Sequence, residues 1–193
     1  MNIVYTSITG NYEQPREDIL VLTKDLFKDS RRSARMHKCL PPKAEYSLWV
    51  DGNTSPRVSV NKLIGKYLNS NDIAVMKHPT RDCIYEEAIA CKDLDDADVI
   101  KEQMDRYRAE GYPEHNGLAA TTYILRRHTD KIEELNNLWW SEICRGSKRD
   151  QLSFNYCLWK LGIEPAIIDG DGDDNFKKSE EFKYWRHGEI QGI

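Results

Sequence analysis

Asp51, Gly52 and Asn53 follow the short apolar run Tyr46 to Val50 and place a carboxylate and an amide oxygen two residues apart at a strand end. Side chains two apart on an extended chain share a side, where both oxygens can hold a hard divalent cation, Mn²⁺ or Mg²⁺, that phosphates also bind. Gly52 between them lets a ligand approach; the same triplet is also ordinary Asx-turn chemistry. Arg31, Arg35 and Lys38 fall at i, i+4 and i+7, so a helix sets three cations on one stripe that would suit a diphosphate or serve as a solvated face. Asp150 and Gln151 stand at the entry of another helix, held at a pocket mouth or, for Asp150, capping that helix. The acidic run Asp169 to Asp174, with Glu180 twelfth, has the spacing of a calcium loop. Asp174 stands where such a loop needs glycine, and a strand precedes it instead of a helix, so it reads as an acidic surface loop.

The elements that must position these groups alternate. Ile3 to Thr6 reads as a strand stopping at Thr9-Gly10-Asn11, and Asp18 to Thr23 as a second. Ser30 to Leu40 reads as a helix capped by Ser30 and stopped by Pro41-Pro42. Tyr46 to Val50 is a third strand, Val58 to Leu68 a helix, and Ile73 to Met76 a fourth strand. Tyr85 to Arg108 is helical with a break near Asp93, and Gly111-Tyr112-Pro113 forces a loop before the strand Thr121 to Leu125. Helices at Lys131 to Ile143 and Arg149 to Leu161 precede a last strand, Ile163 to Ile168. Strands separated by helices predict an α/β fold, a mostly parallel central sheet flanked by helices, with ligands beyond the carboxyl ends of the strands.

At 193 residues the chain fits one domain able to bury roughly 70% of its unfolded surface, with residues 169–193 as acidic loop and tail. Charged residues make up 31% with both signs mixed, which excludes a disordered or fibrous class. The net charge of −4 argues against a general nucleic-acid binder. Five scattered cysteines without a Cys-x-x-Cys pair read as reduced thiols. No apolar run approaches the roughly 20 residues of a membrane span, and a cytoplasmic protein is expected.

Several segments occur together in order: Val4 to Tyr12, Ala34 to Lys38, Ser47 to Asn53, His78 to Ala88, Gln103, Tyr107, Glu110 to Pro113, Arg126-Arg127-His128, Trp139-Trp140 and Arg149 to Tyr156. In this set, which spans about residues 1 to 160, the chain resembles the TOD1/MUCI70 glycosyltransferase-like family. That family is in turn similar to GT-A glycosyltransferases of the glycogenin and galactosyltransferase type. The resemblance implies a single GT-A-like domain that takes a nucleotide-sugar donor, a UDP-sugar foremost, and a hydroxyl-bearing acceptor.

By the same resemblance, Thr6, Ser7, Ile8 and Tyr12 would cradle the nucleotide and Arg35 or Lys38 would contact the donor. Asp51-Gly52-Asn53 would be the metal-binding Asp-x-Asp with asparagine in its last place, and His187 near the C-terminus would complete the metal set. Asp150 and Gln151, followed by Phe154 and Asn155, would lie under the donor sugar, Asp150 orienting it or deprotonating the acceptor. His78, Arg81, Asp82 and Glu86 form a distinctive run with no role to carry over; internal salt bridges or a charged surface would explain them. Trp139, Trp140 and Tyr112 are candidates for stacking on sugar rings, or for core. Two rival readings are a non-catalytic nucleotide- or glycan-binding module of the same fold and a transferase acting on hydroxylated DNA bases.

Overall fold

The computed structural model describes residues 1–10, 13, 16–91, 96–168 and 179–185. Tyr12, His187 and the acidic run 169–174 lie outside these residues. The strands are β1 (Asn2–Ser7), β2 (Leu20–Leu22), β3 (Tyr46–Val50), β4 (Thr54–Pro56), β5 (Ile73–Lys77), β6 (Ala119–Arg127), β7 (Ala166–Ile167) and β8 (Phe182–Tyr184). The helices are α1 (Ser30–Cys39), α2 (Val60–Tyr67), α3 (Ile84–Ala90), α4 (Ala97–Ala109), α5 (Asp130–Arg145) and α6 (Gln151–Leu161).

Six strands form one sheet in the order β2-β1-β3-β6-β5-β7. The β1–β2, β1–β3 and β5–β7 pairs are parallel, whereas β6 runs antiparallel to both neighbours. The fold is thus the expected α/β class with a mostly parallel sheet. The reversed β6 has a consequence for the site, because its amino end, Ala119 to Thr121, lies at the same edge as the carboxyl ends of β1, β3 and β5.

Alternation along the strands divides the core. Tyr5, Trp49, Val75 and Ile124 point to one face and pack with Tyr107, Leu135, Trp139 and Phe154 from the helices. Leu48, Val50, Tyr123 and Leu125 point to the other and pack with Leu63 and Tyr67 of α2. Phe182 joins this second face, its ring 3.9 Å from that of Tyr123, and so seats a two-stranded ribbon of β4 and β8. Neither β4 nor β8 was expected from the sequence: three residues are too short to show a period, and their partner strand is far along the chain.

Helix ends follow from local chemistry, with one correction. Asp29, not Ser30, caps α1: its carboxylate accepts from the backbone N–H groups of Arg31 and Arg32 at 2.9 and 3.3 Å and ion-pairs with Lys148 at 2.8 Å. At the end of α5, Gly146 leaves room for the buried Gln103 amide, which accepts from the Ser147 N–H and donates to the Tyr107 hydroxyl. A Cβ at position 146 would stand 2.5 Å from that amide, whereas one at Gly65 on α2 would meet nothing within 4 Å. Gly146→Ala is therefore expected to lower stability by about 1–3 kcal/mol through overpacking, and Gly65→Ala to raise it by about 0.5–1 kcal/mol through helix propensity. Urea denaturation of the two variants checks both signs.

Candidate functional site

A cleft of about 560 Å³ opens at the carboxyl edge of β1 and β3 and is lined by Ser7, Thr9, Ser30, Arg35, Trp49 and Asp51, among others. Beside two of these, Asp51 and Trp49, lies Lys38, from the last turn of α1 and only 1% exposed. Its ammonium donates to Asp150 Oδ2 at 2.7 Å, Thr121 Oγ1 at 3.0 Å and Asp51 Oδ1 at 3.4 Å, and it sits 5.4 Å from the Trp49 ring centroid. One buried cation thus joins a carboxylate at the end of β3, a hydroxyl at the start of β6 and a carboxylate before α6.

Asp150 heads α6 but does not cap it. No side-chain capping bond forms; Oδ2 takes Lys38 and the Thr121 hydroxyl at 2.8 Å, and Oδ1 is 3.1 Å from Arg35 Nε. The capping alternative is overturned because these charged partners outcompete a helix amide. Burial by itself would raise the proton affinity of Asp150; the Arg35 and Lys38 charges, with hydrogen bonds from Lys38 and Thr121, outweigh it and hold the carboxyl below the ordinary carboxylate range. The Asp150 carbonyl is fixed separately, accepting from Trp139 Nε1 at 3.0 Å.

Asp51 Oδ1 also accepts from Trp49 Nε1 at 2.9 Å; neither interaction uses Oδ2. The Asp51 to Thr54 turn is closed by the backbone and hydroxyl of Thr54, both donating to Asp51 O, so the Asp51 side chain is directed to the cluster and not into an Asx turn. Arg16, which nothing in its local sequence singles out, clamps this turn by donating to the carbonyls of Gly52 and Thr54. Asn53 Nδ2 donates to Trp185 O at 3.0 Å and its carbonyl accepts from Trp185 N–H, tying the turn to the end of β8. Asp51 and Asn53 each offer an oxygen, Oδ2 and Oδ1, of the kind that a hard cation such as Mg²⁺ or Mn²⁺ would take.

The other expected residues fall at distinct places. Ser7 lines the cleft and donates to Leu22 O at 2.9 Å; Ile8 is buried, its N–H also donating to Leu22 O. Thr6 is buried, with Oγ1 lacking a hydrogen-bond partner among the described residues. Gln151 does not reach the Lys38 cluster: its amide donates to Ala119 O while Asn155 accepts from Ala119 N–H, so together they grip the start of β6. Trp139 and Tyr112 are core residues, not ring platforms open to solvent; Trp140 is half-buried against Phe27. His78 Nδ1 accepts from the Thr80 and Arg81 amides, and Arg81 pairs with Glu87 at 2.7 Å, so much of that run is internal bonding. Thr121 and Arg16 carry no signal in the sequence, because a threonine in a strand and an arginine in a loop reveal nothing until their neighbours in space are known.

The sheet and its cleft define an α/β protein whose cleft opens at the strand ends, the edge where open α/β sheets generally take their ligands. Residues 17–170 match the model of the TOD1/MUCI70 glycosyltransferase-like domain, and the chain belongs to this family. It is 30% identical over 173 residues to "Probable hexosyltransferase MUCI70" of Arabidopsis thaliana; the match covers 81% of this chain, which spans 30% of that relative's length. Among solved structures, it is similar to mouse xyloside xylosyltransferase 1 in its apo form (TM-score 0.38, 13% identity, 73% of this chain and 51% of the other). It is also similar to the apo bifunctional glycosyltransferase WbbM (TM-score 0.41, 13% identity, 82% and 29%).

The Asp150 charge should register in the pH dependence of stability. Asp150→Asn leaves Lys38 and Arg35 facing a neutral amide and is expected to cost about 3–5 kcal/mol at pH 7. Because the folded-state carboxyl titrates below the ordinary value of 3.8, its contribution is complete above that value and is lost as pH falls beneath it. Urea unfolding at pH 7 and pH 3 should show the gap between wild type and variant narrowing at the lower pH.

Proposed function

We propose that the chain transfers a sugar, a hexose in keeping with the description of its plant relative, from a nucleoside diphosphate donor to a hydroxyl-bearing acceptor. The observation that carries this reading is Lys38, a buried ammonium that joins Asp51, on the wall of the strand-edge cleft, to Asp150. Breaking the bond from an anomeric carbon to a diphosphate builds negative charge on the leaving phosphate, and fixed cations in a water-poor site offset that charge. Arg35 and Lys38 supply it, and Ser7 with the neighbouring loop of β1 receives the nucleoside, a uridine in the preferred form.

A divalent cation held by Asp51 and Asn53, with His187 as a further ligand, would add charge stabilisation at the diphosphate. Asp150 orients Lys38, Arg35 and the donor sugar. A carboxylate gripped by two cations is a weak proton acceptor, which argues against a general-base role. No helix among the described residues is long and apolar enough to cross a membrane; the five free cysteines support a cytoplasmic setting. The acceptor is a glycan, a small molecule or a hydroxylated base. A non-catalytic module of the same fold would bind the nucleotide without cleaving the donor.

Calorimetric titration with UDP, GDP and dTDP, with and without Mn²⁺, tests the donor site. Binding of one nucleotide, strengthened by Mn²⁺ and weakened at least tenfold in Asp51→Ala, is expected. Lys38→Met should lower turnover by about 10²–10³-fold, measured as release of the nucleoside diphosphate. Absence of binding to all three nucleotides would sink the proposal.

A further inference from the structure

We infer that Arg126 is the positioning residue for Lys38, holding the last turn of α1 so that the ammonium stays between Asp51 and Asp150; this rests on the transferase reading above. Arg126 lies on β6 on the same face as Ile124, and its side chain is fully buried. Among the described residues no carboxylate stands within ion-pair distance of it, and its Nε has no hydrogen-bond partner. A buried charge without a counterion is costly, and fold stability alone gives no reason to prefer it over an apolar side chain of similar volume.

What Arg126 touches shows its use. Nη2 donates to the carbonyl of Lys38 at 3.1 Å and Nη1 to the Tyr5 hydroxyl at 3.0 Å, while Tyr5 itself donates to the same Lys38 carbonyl at 3.3 Å. Lys38 O is one of the carbonyls at the end of α1 that have no partner within the helix. A cation at a helix carboxyl end is also favoured by the helix dipole. The guanidinium further lies 5.9 Å from the ring of Trp139, whose indole holds the Asp150 carbonyl. Both backbones that present the Lys38–Asp150 pair are therefore anchored around one side chain. Only a planar fork with two forward donors reaches the helix carbonyl and the β1 hydroxyl at once, and lysine has no equivalent.

On the transferase reading Lys38 holds Asp51 and Asp150 at the diphosphate end of the cleft and not at the nucleoside end, so misplacing it should be felt by one ligand and not the other. The test compares Arg126→Lys with wild type for the nucleoside diphosphate that wild type binds, among UDP, GDP and dTDP, and for its parent nucleoside. Affinity for the diphosphate is expected to fall at least tenfold while the nucleoside stays within twofold. Tyr5→Phe, which keeps the guanidinium but removes one of its two acceptors, covers the case in which Arg126→Lys does not fold; it should show the same split at two- to fivefold. Equal losses for both ligands, or no loss for either, would overturn the positioning role. Wild type that binds none of the diphosphates would instead overturn the transferase reading and this inference with it.

Discussion

Burial of the Lys38 ammonium is the constraint on which the site depends. A cation removed from water is tolerable only where its donors are matched, and here Asp150, Thr121 and Asp51 meet them from three elements distant in sequence. Each must be presented at the right height, so the ends of α1, β3, β6 and the entry to α6 are held in register by one charge. Arg35 completes the balance on the far oxygen of Asp150. Asp150, in turn, remains ionised in a buried setting because two cations face it, and that pairing makes the carboxylate an organiser of charge.

The antiparallel β6 makes this convergence geometrically available. In an all-parallel sheet only carboxyl ends and the loops after them would meet at the ligand edge; reversal of β6 brings an amino end there, and with it Thr121. The same strand carries Arg126 away from the cleft to the base of α1, so one β-strand contacts both the ammonium of Lys38 and its carbonyl. The opposite face does a different job. Its β4–β8 ribbon, seated by Phe182 on Tyr123 and tied through Asn53 to Trp185, fixes the turn that carries Asp51.

Much of this was legible in the residues. Tyr46 to Val50, Ser30 to Leu40 and Arg149 to Leu161 are marked by period, stop signals and length, within two residues of the elements that form, and the cations of α1 and the carboxylates at Asp51 and Asp150 stand out by type. Legibility failed where two local explanations competed. Asp29 and Ser30 are adjacent capping residues, and the choice fell to Asp29 with Lys148 as a further partner 119 positions away. Asp150 at a helix start reads as a cap until Lys38 is known to be opposite. Trp139 reads as a sugar platform or as core, and the packing of α5 under the sheet makes it core.

The sequence by itself determined the element types and order, the α/β class and the family, because periodicity, turn residues and ordered segments are local properties of the chain. Tertiary structure alone decided that Lys38 pairs with Asp51 and Asp150, that Thr121 joins them, that Gln151 and Asn155 grip Ala119, and that Arg126 supports the end of α1. Those are contacts between residues up to 112 positions apart. Their partners are chosen by strand order and direction, which no single segment encodes and which only collapse of both sheet faces onto their helices fixes.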